Sequence, residues 1–144
     1  MEDTPLIIEY VFYKSGLQCI KDYVNTNYMN RILDKRMLIE YEIPENLSYE
    51  YVSFDTMRGS VMLKCKFLTY KVDEVITGVL DFESKKFNGL SIVLDIHIPS
   101  ANIYSDYIVH DNKQYKHNST ITVKITALEY VNRCDIFKGK CVLA

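Results

Sequence analysis

Residues 58–82, RGSVMLKCKFLTYKVDEVITGVLDF, limit the folds open to this chain more than any other stretch. Val61, Leu63, Cys65 and Phe67 alternate with Met62, Lys64, Lys66 and Leu68, the period-two pattern of a strand with one buried face. A short polar break at Lys71–Glu74 follows, and a second apolar strand runs from Val75 to Phe82 with Gly78 at its centre. An interior glycine weakens a strand, so it marks a sharp bend or a close backbone approach, as at the corner of a small barrel. The stretch therefore reads as the hinge between two halves.

Upstream, Leu6–Tyr13 is apolar and β-rich and predicts a first strand. Ser15-Gly16-Leu17-Gln18 has the form of a capping box. Behind it Leu17, Ile20, Val24, Tyr28 and Ile32 recur at spacings of three and four, which predicts a helix over 17–33. Lys35 and Arg36 would suit the negative end of its dipole. Strands are expected at Met37–Ile43, with Leu38, Glu40 and Glu42 opposed to Ile39, Tyr41 and Ile43, and at Glu50–Phe54. Pro44 and Asn46 end the first of these, and Asp55–Gly59 reads as a turn. Residues 1–71 thus form an expected α+β domain, one helix on an antiparallel sheet.

Residues 72–144 contain no helical pattern. After Val75–Phe82 a turn is expected at Ser84–Gly89, then a strand in which Leu90, Ile92, Leu94, Ile96 and Ile98 share a face until Pro99 stops it. A polar, tyrosine-bearing connection leads to Thr120–Ala127, where Ile121, Val123, Ile125 and Ala127 are expected inside. A last strand covers roughly Asp135–Leu143. About five strands with one long connection suit an all-β Greek-key barrel of the OB type.

Apolar residues make up 48% of the chain and charged ones 25%, the balance of an ordinary folded protein. The net charge of −2 is not that of a protein gripping duplex DNA on its own. Residues 1–70 carry 8 basic and 10 acidic side chains and residues 71–144 carry 9 of each, so the second half is less acidic without being basic. Twelve tyrosines and no tryptophan fit half-exposed strand positions or stacking platforms. The N-terminus lacks a signal-peptide pattern and no apolar run reaches membrane length, so a cytoplasmic, non-secreted protein without membrane contact is expected. Cys19, Cys65, Cys134 and Cys141 form no C-x-x-C pair, which fits reduced thiols. The triplets at Asn46 and Asn118 read as chance glycosylation matches.

No phosphate loop, dinucleotide fingerprint, nucleophile elbow or zincin motif occurs. Asp81 and Glu83 read as solvated carboxylates at a strand end. His97, His110 and His117 are scattered; a metal site from His110, His117 and Asp111 is the alternative to ordinary polar loop positions. The chain presents no active site, no cofactor motif and no small-molecule substrate site.

The layout resembles the stalk subunit of multisubunit DNA-directed RNA polymerases, the seventh subunit of RNA polymerase II and its relatives, and most of all the shortened versions of poxvirus-like cytoplasmic DNA viruses. The residues that carry the resemblance span nearly the whole chain. They are the helix 17–33, the run Val61–Tyr70 with Val72-Asp73-Glu74-Val75-Ile76-Thr77-Gly78-Val79-Leu80 behind it, Ile96–Ser100, and Asn118–Ile125. Val72 stands where the family pattern has glycine. The resemblance implies a non-catalytic accessory subunit that docks on large core subunits through its first domain, with a barrel near single-stranded nascent RNA. Lys85, Lys86 and Phe87 in one barrel loop, and Tyr104, Lys113, Tyr115 and Lys116 in the long connection, are then the candidate RNA contacts: aromatic faces for bases and lysines for phosphates. The alternative is a β-rich protein-interaction module, a viral host-binding adaptor with no nucleic-acid role.

Overall fold

A computed structural model describes residues 2–12, 16–45, 49–53, 56–131 and 134–144. The chain divides into two units, Met1–Thr69 and Tyr70–Ala144. Tyr13, Ser15 of the capping box, Asn46 and its triplet, and Phe54–Asp55 lie outside the described residues.

The first unit contains β1 (Glu2–Phe12), α1 (Gly16–Asn27), β2 (Ile32–Leu33), β3 (Arg36–Glu42), β4 (Tyr49–Ser53) and β5 (Thr56–Leu68). β5 is its spine. β1 runs antiparallel along β5 from Glu2 opposite Phe67 to Phe12 opposite Met57. On the other edge, β3 covers the C-terminal part of β5 and β4 its N-terminal part. Gly59 therefore lies inside a strand, opposite Tyr10 and Tyr49, rather than in the expected turn. Val61, Leu63, Cys65 and Phe67 are buried and pack with Ile20 and Val24 of α1 and with Leu38. A 12-residue helix is marginal by itself, so this apolar contact, about 1.5–3 kcal/mol for each fully buried side chain, holds α1 in place. Leu68 leaves the expected alternation: it is 6% exposed, opposite Met37, which is also buried.

α1 ends at Asn27, six residues before the end of the expected helix. The Met29 N–H closes on the Val24 carbonyl, Asn30 takes a left-handed φ of 57°, and its N–H donates to the Leu38 carbonyl. Ile32, in phase with the helical stripe, is buried as part of β2. Asp34 and Lys35 both have positive φ and form the two-residue turn between β2 and β3. Lys35 and Arg36 thus belong to a hairpin and not to a helix end; Arg36 lies 4.0 Å over the Phe67 ring. A bulge between Leu38 and Glu40 places Tyr41, opposite Cys65, on the same face as Leu38, opposite Phe67, which breaks the strict alternation expected for β3.

The second unit contains β6 (Val75–Asp81), β7 (Lys86–Gly89), β8 (Ile92–His97), a 3-10 turn (Ser100–Asn102), β9 (Tyr107–His110), β10 (Lys113–Lys116), β11 (Thr120–Glu129) and β12 (Phe137–Leu143). Five of these strands close a barrel in the order β6-β7-β8-β12-β11 and back to β6. Every pair is antiparallel except β8 with β12. Leu80, Phe87, Ile92, Leu94, Ile96, Ile121, Val123, Ile125, Phe137 and Cys141 are buried apolar residues of this unit. At Gly78 a Cβ would lie 2.4 Å from the Asn88 carbonyl oxygen and 2.5 Å from Phe87 Cζ, the close approach that the glycine's position predicts.

The second unit departs from the expected pattern at four places. Of the expected 84–89 turn only residues 84 and 85 are turn, as the end of a turn over 82–85; Lys86–Gly89 is a strand. Leu90 is 65% exposed because it lies in the tight turn between β7 and β8, with Ser91 at φ 54°. The long connection holds a hairpin of its own, β9 and β10, turned by Asp111 and Asn112 at φ 49° and 62°. Ala127 is exposed, since a bulge between Ile125 and Ala127 inverts the phase of β11.

Candidate nucleic-acid interface

The outer surface of β7, β8 and β12 follows from strand alternation. With Phe87, Leu94 and Cys141 inside, Lys86 and Asn88 face out on β7, Val93, Asp95 and His97 on β8, and Lys138, Lys140 and Val142 on β12. Register places Lys86 and Lys140 on either side of Asp95, and Val93 between Asn88 and Lys138. Lys86 Nζ lies 3.7 Å from Asp95 Oδ1. Among the described residues, Lys138 and Lys140 have no ion-pair partner. Three lysines against one carboxylate give this face a positive balance that the neutral unit as a whole lacks.

The expected contact residues separate. Phe87 is 0% exposed, in the barrel core, and so cannot stack a base: its place on β7 is an inward one between Lys86 and Asn88. Lys85 lies in the turn at a left-handed φ of 54°, and its carbonyl accepts the Ile96 N–H. Tyr104, 48% exposed, stacks on Tyr107 with ring centroids 4.7 Å apart and planes 9° from parallel. Lys116 is opposite Tyr107 in the hairpin register and so shares the face of that aromatic pair. Lys113 and Tyr115 point to the other face, beside His110 and the buried Ile108.

Two hydrogen bonds bring these parts to one end of the barrel. The Ile96 N–H bond to Lys85 ties the 82–85 turn to the end of β8. The Phe82 N–H donates to His117 Nδ1 at 3.1 Å, which ties the exit of the β9–β10 hairpin to the same turn. A nitrogen that accepts an amide proton carries none itself, so the neutral His117 ring is protonated on Nε2. The Ser84 hydroxyl and N–H, with a smaller effect of the His117 ring, hold the Asp81 carboxyl below its ordinary 3.8.

This shift has a consequence for acid stability. A depressed folded value stabilises the fold above pH 3.8, and the contribution disappears as pH falls through the lower folded value. Asp81→Asn is therefore expected to melt below wild type at pH 6, with the gap closing as pH drops below 3.8. Paired thermal melts from pH 6 to 3 check this; a gap constant with pH would disprove the assignment.

His97, Asn102 and His110 line a cavity of about 300 Å³ at the same end, with Pro99, Val142 and Leu143. Among the described residues no group of three His, Cys, Asp or Glu is placed to hold a metal; His110 Nε2 is 3.7 Å from Asp111 Oδ2, while His117 faces Asp81. Cys141 is buried in the core, and that burial pushes its thiol up to about 12, so it is chemically inert at neutral pH. In the first unit, a separate cavity of about 200 Å³ is lined by Tyr28, Arg31, Arg36 and Phe67 among others, a cationic and aromatic hollow.

Strand position and register add Lys138, Lys140 and Tyr107 to the contact candidates, and give the outward His97 a place beside them. Lys138-Gly139-Lys140 inside an alternating strand carried a readable signal, two outward cations beside inward Phe137 and Cys141. The cavity carried none, because its residues are far apart in sequence. No helix among the described residues is long and apolar enough to cross a membrane. Compared with protein-family models and with curated proteins, the chain matches none.

Proposed function

We propose that this chain is a non-catalytic, stalk-like accessory subunit of a DNA-directed RNA polymerase. Its first unit would dock on the large core subunits, and its barrel, of the OB type, would meet single-stranded nascent RNA. The observation that carries this reading is the barrel's strand order. The third and fifth strands, β8 and β12, pair in parallel, and the fourth, β11, returns to the first, with the long connection between third and fourth. This order supports the OB reading, since an OB barrel has that Greek-key arrangement and uses its second and third strands as the usual oligonucleotide face. Here those strands are β7 and β8, and β12 adds Lys138 and Lys140 beside them.

The modest charge fits a weak, sequence-tolerant contact made within a larger assembly. The Tyr104–Tyr107 stack with Lys116 supports the same reading from the hairpin. Four free cysteines are in keeping with a cytoplasmic setting. One observation favours a second reading, the protein-interaction module. Val75, Thr77 and Val79 on β6 and Thr120 and Thr122 on β11 make a largely uncharged outer barrel face, and Lys124, opposite Val75 at its edge, is paired with Asp73 at 3.6 Å. Such a surface suits a protein partner better than a phosphate backbone.

The test is affinity capture of the tagged chain from its native source, read by mass spectrometry. Large polymerase subunits recovered at near-equal stoichiometry are the expected result. Recovery of other proteins in stoichiometric amount, with no polymerase, would eliminate the subunit reading in favour of the interaction module.

A further inference from the structure

We propose that the cavity between His97, Asn102, His110 and the end of β12 is a pocket for one unpaired nucleobase of a single strand. The proposal rests on the single-strand contact argued above and gives it a specific anchoring point. At about 300 Å³ the cavity is at the small end of ligand sites, which run from roughly 300 to 1,000 Å³. Its walls combine the imidazoles of His97 and His110, the Pro99 ring and the aliphatic Val142 and Leu143. Flat faces of this kind suit a flat heterocycle. The Asn102 amide carries both donors and an acceptor, the mixture that a base edge presents in return. Among the described residues no Lys, Arg, Asp or Glu side chain lines the cavity. A charged group placed inside would lose its hydration without a counter-charge, whereas a neutral base would not.

The cations stand where the phosphates of a bound nucleotide would be. Lys140 is two residues before Val142 on the same outward face of β12, about 7 Å along the strand. Lys113 is opposite His110 in the hairpin. The turn that carries Lys85 is bonded to β8 one residue before His97. Apolar walls for the base with lysines spaced around them therefore describe a nucleotide binding base-inward.

The test uses the full chain and two fluorescent single-stranded RNA 10-mers, one intact and one with all bases removed, in anisotropy titrations at low salt. Wild type is expected to prefer the intact strand. His97→Ala and His110→Ala are each expected to weaken binding of the intact strand about fivefold or more, with little effect on the abasic one. His97→Phe, which keeps a flat face, should retain most of the affinity; thermal melts confirm that each variant folds. Lys140→Ala should weaken both strands equally. If wild type binds and both histidine variants bind the intact strand equally well, the pocket is overturned while the strand contact stands. If wild type binds neither strand, both the pocket and the RNA contact are overturned, and the polymerase assignment is judged by affinity capture alone.

Discussion

Replacing Phe87 by Ala is expected to destabilise the barrel by about 3–5 kcal/mol, the usual cost of emptying a buried aromatic site. Phe87 is fully buried, and its ring is the neighbour that a Cβ at Gly78 or at Gly89 would strike. Two glycines thus make room for it, and no side chain stands ready to fill the space it would leave. Urea denaturation of the full chain, followed by circular dichroism, measures the effect as an earlier transition for the barrel unit. The substitution also separates two roles for this residue. A base-stacking Phe87 on the surface would lose RNA affinity and leave stability within about 0.5 kcal/mol of wild type. The buried position predicts the reverse emphasis, a large loss of stability.

Gly139→Ala is the second large effect, expected at about 1–3 kcal/mol, with rearrangement of the β11–β12 pairing. A Cβ there would be 2.1 Å from the Ala127 carbonyl oxygen and 3.0 Å from both Ala127 C and Leu128 Cα. All three are backbone atoms, so no rotamer change relieves the clash. Gly139 is opposite Leu128, just past the bulge between Ile125 and Ala127, so β11 itself must move. Gly89→Ala makes a useful contrast, because its nearest atoms belong to the Phe87 and Ile92 side chains, which can shift. Thermal melts of both variants check the ranking: Gly139→Ala should lose more. Equal losses would mean that the bulge yields as readily as a side chain does.

Both predictions depend on features absent from a linear reading of the chain. In the stretch around Phe87, Lys85-Lys86-Phe87-Asn88-Gly89 reads as a polar turn, because two lysines, an asparagine and a glycine outweigh one aromatic residue. Closure of the barrel makes it a four-residue strand with Phe87 inside. Ile32 shows the converse. It continues the helical stripe of Ile20, Val24 and Tyr28, yet it is buried from a strand, since the left-handed Asn30 redirects the chain to pair with β3. The β9–β10 hairpin was within reach: Asp111-Asn112 separates two β-compatible tetrapeptides, and both residues tolerate left-handed backbone.

Features that depend only on neighbours along the chain are legible in the residues themselves. These are the buried row Val61, Leu63, Cys65 and Phe67, the helix stripe through Ile20 and Val24 that covers it, the close approach at Gly78, and the inward Ile121, Val123 and Ile125. Each is a consequence of a local period or of one residue's missing side chain, and needs no knowledge of the partner strand. Tertiary structure alone decided the parallel pairing of β8 with β12, the bulges that invert the phase of β3 and β11, and the gathering of His97, Asn102 and His110 around one cavity. The physical reason is that alternation says which side chains share a face but is silent on which strand lies alongside. Strand order is chosen by closing the barrel over its core, and the surface chemistry of this protein is set by that choice.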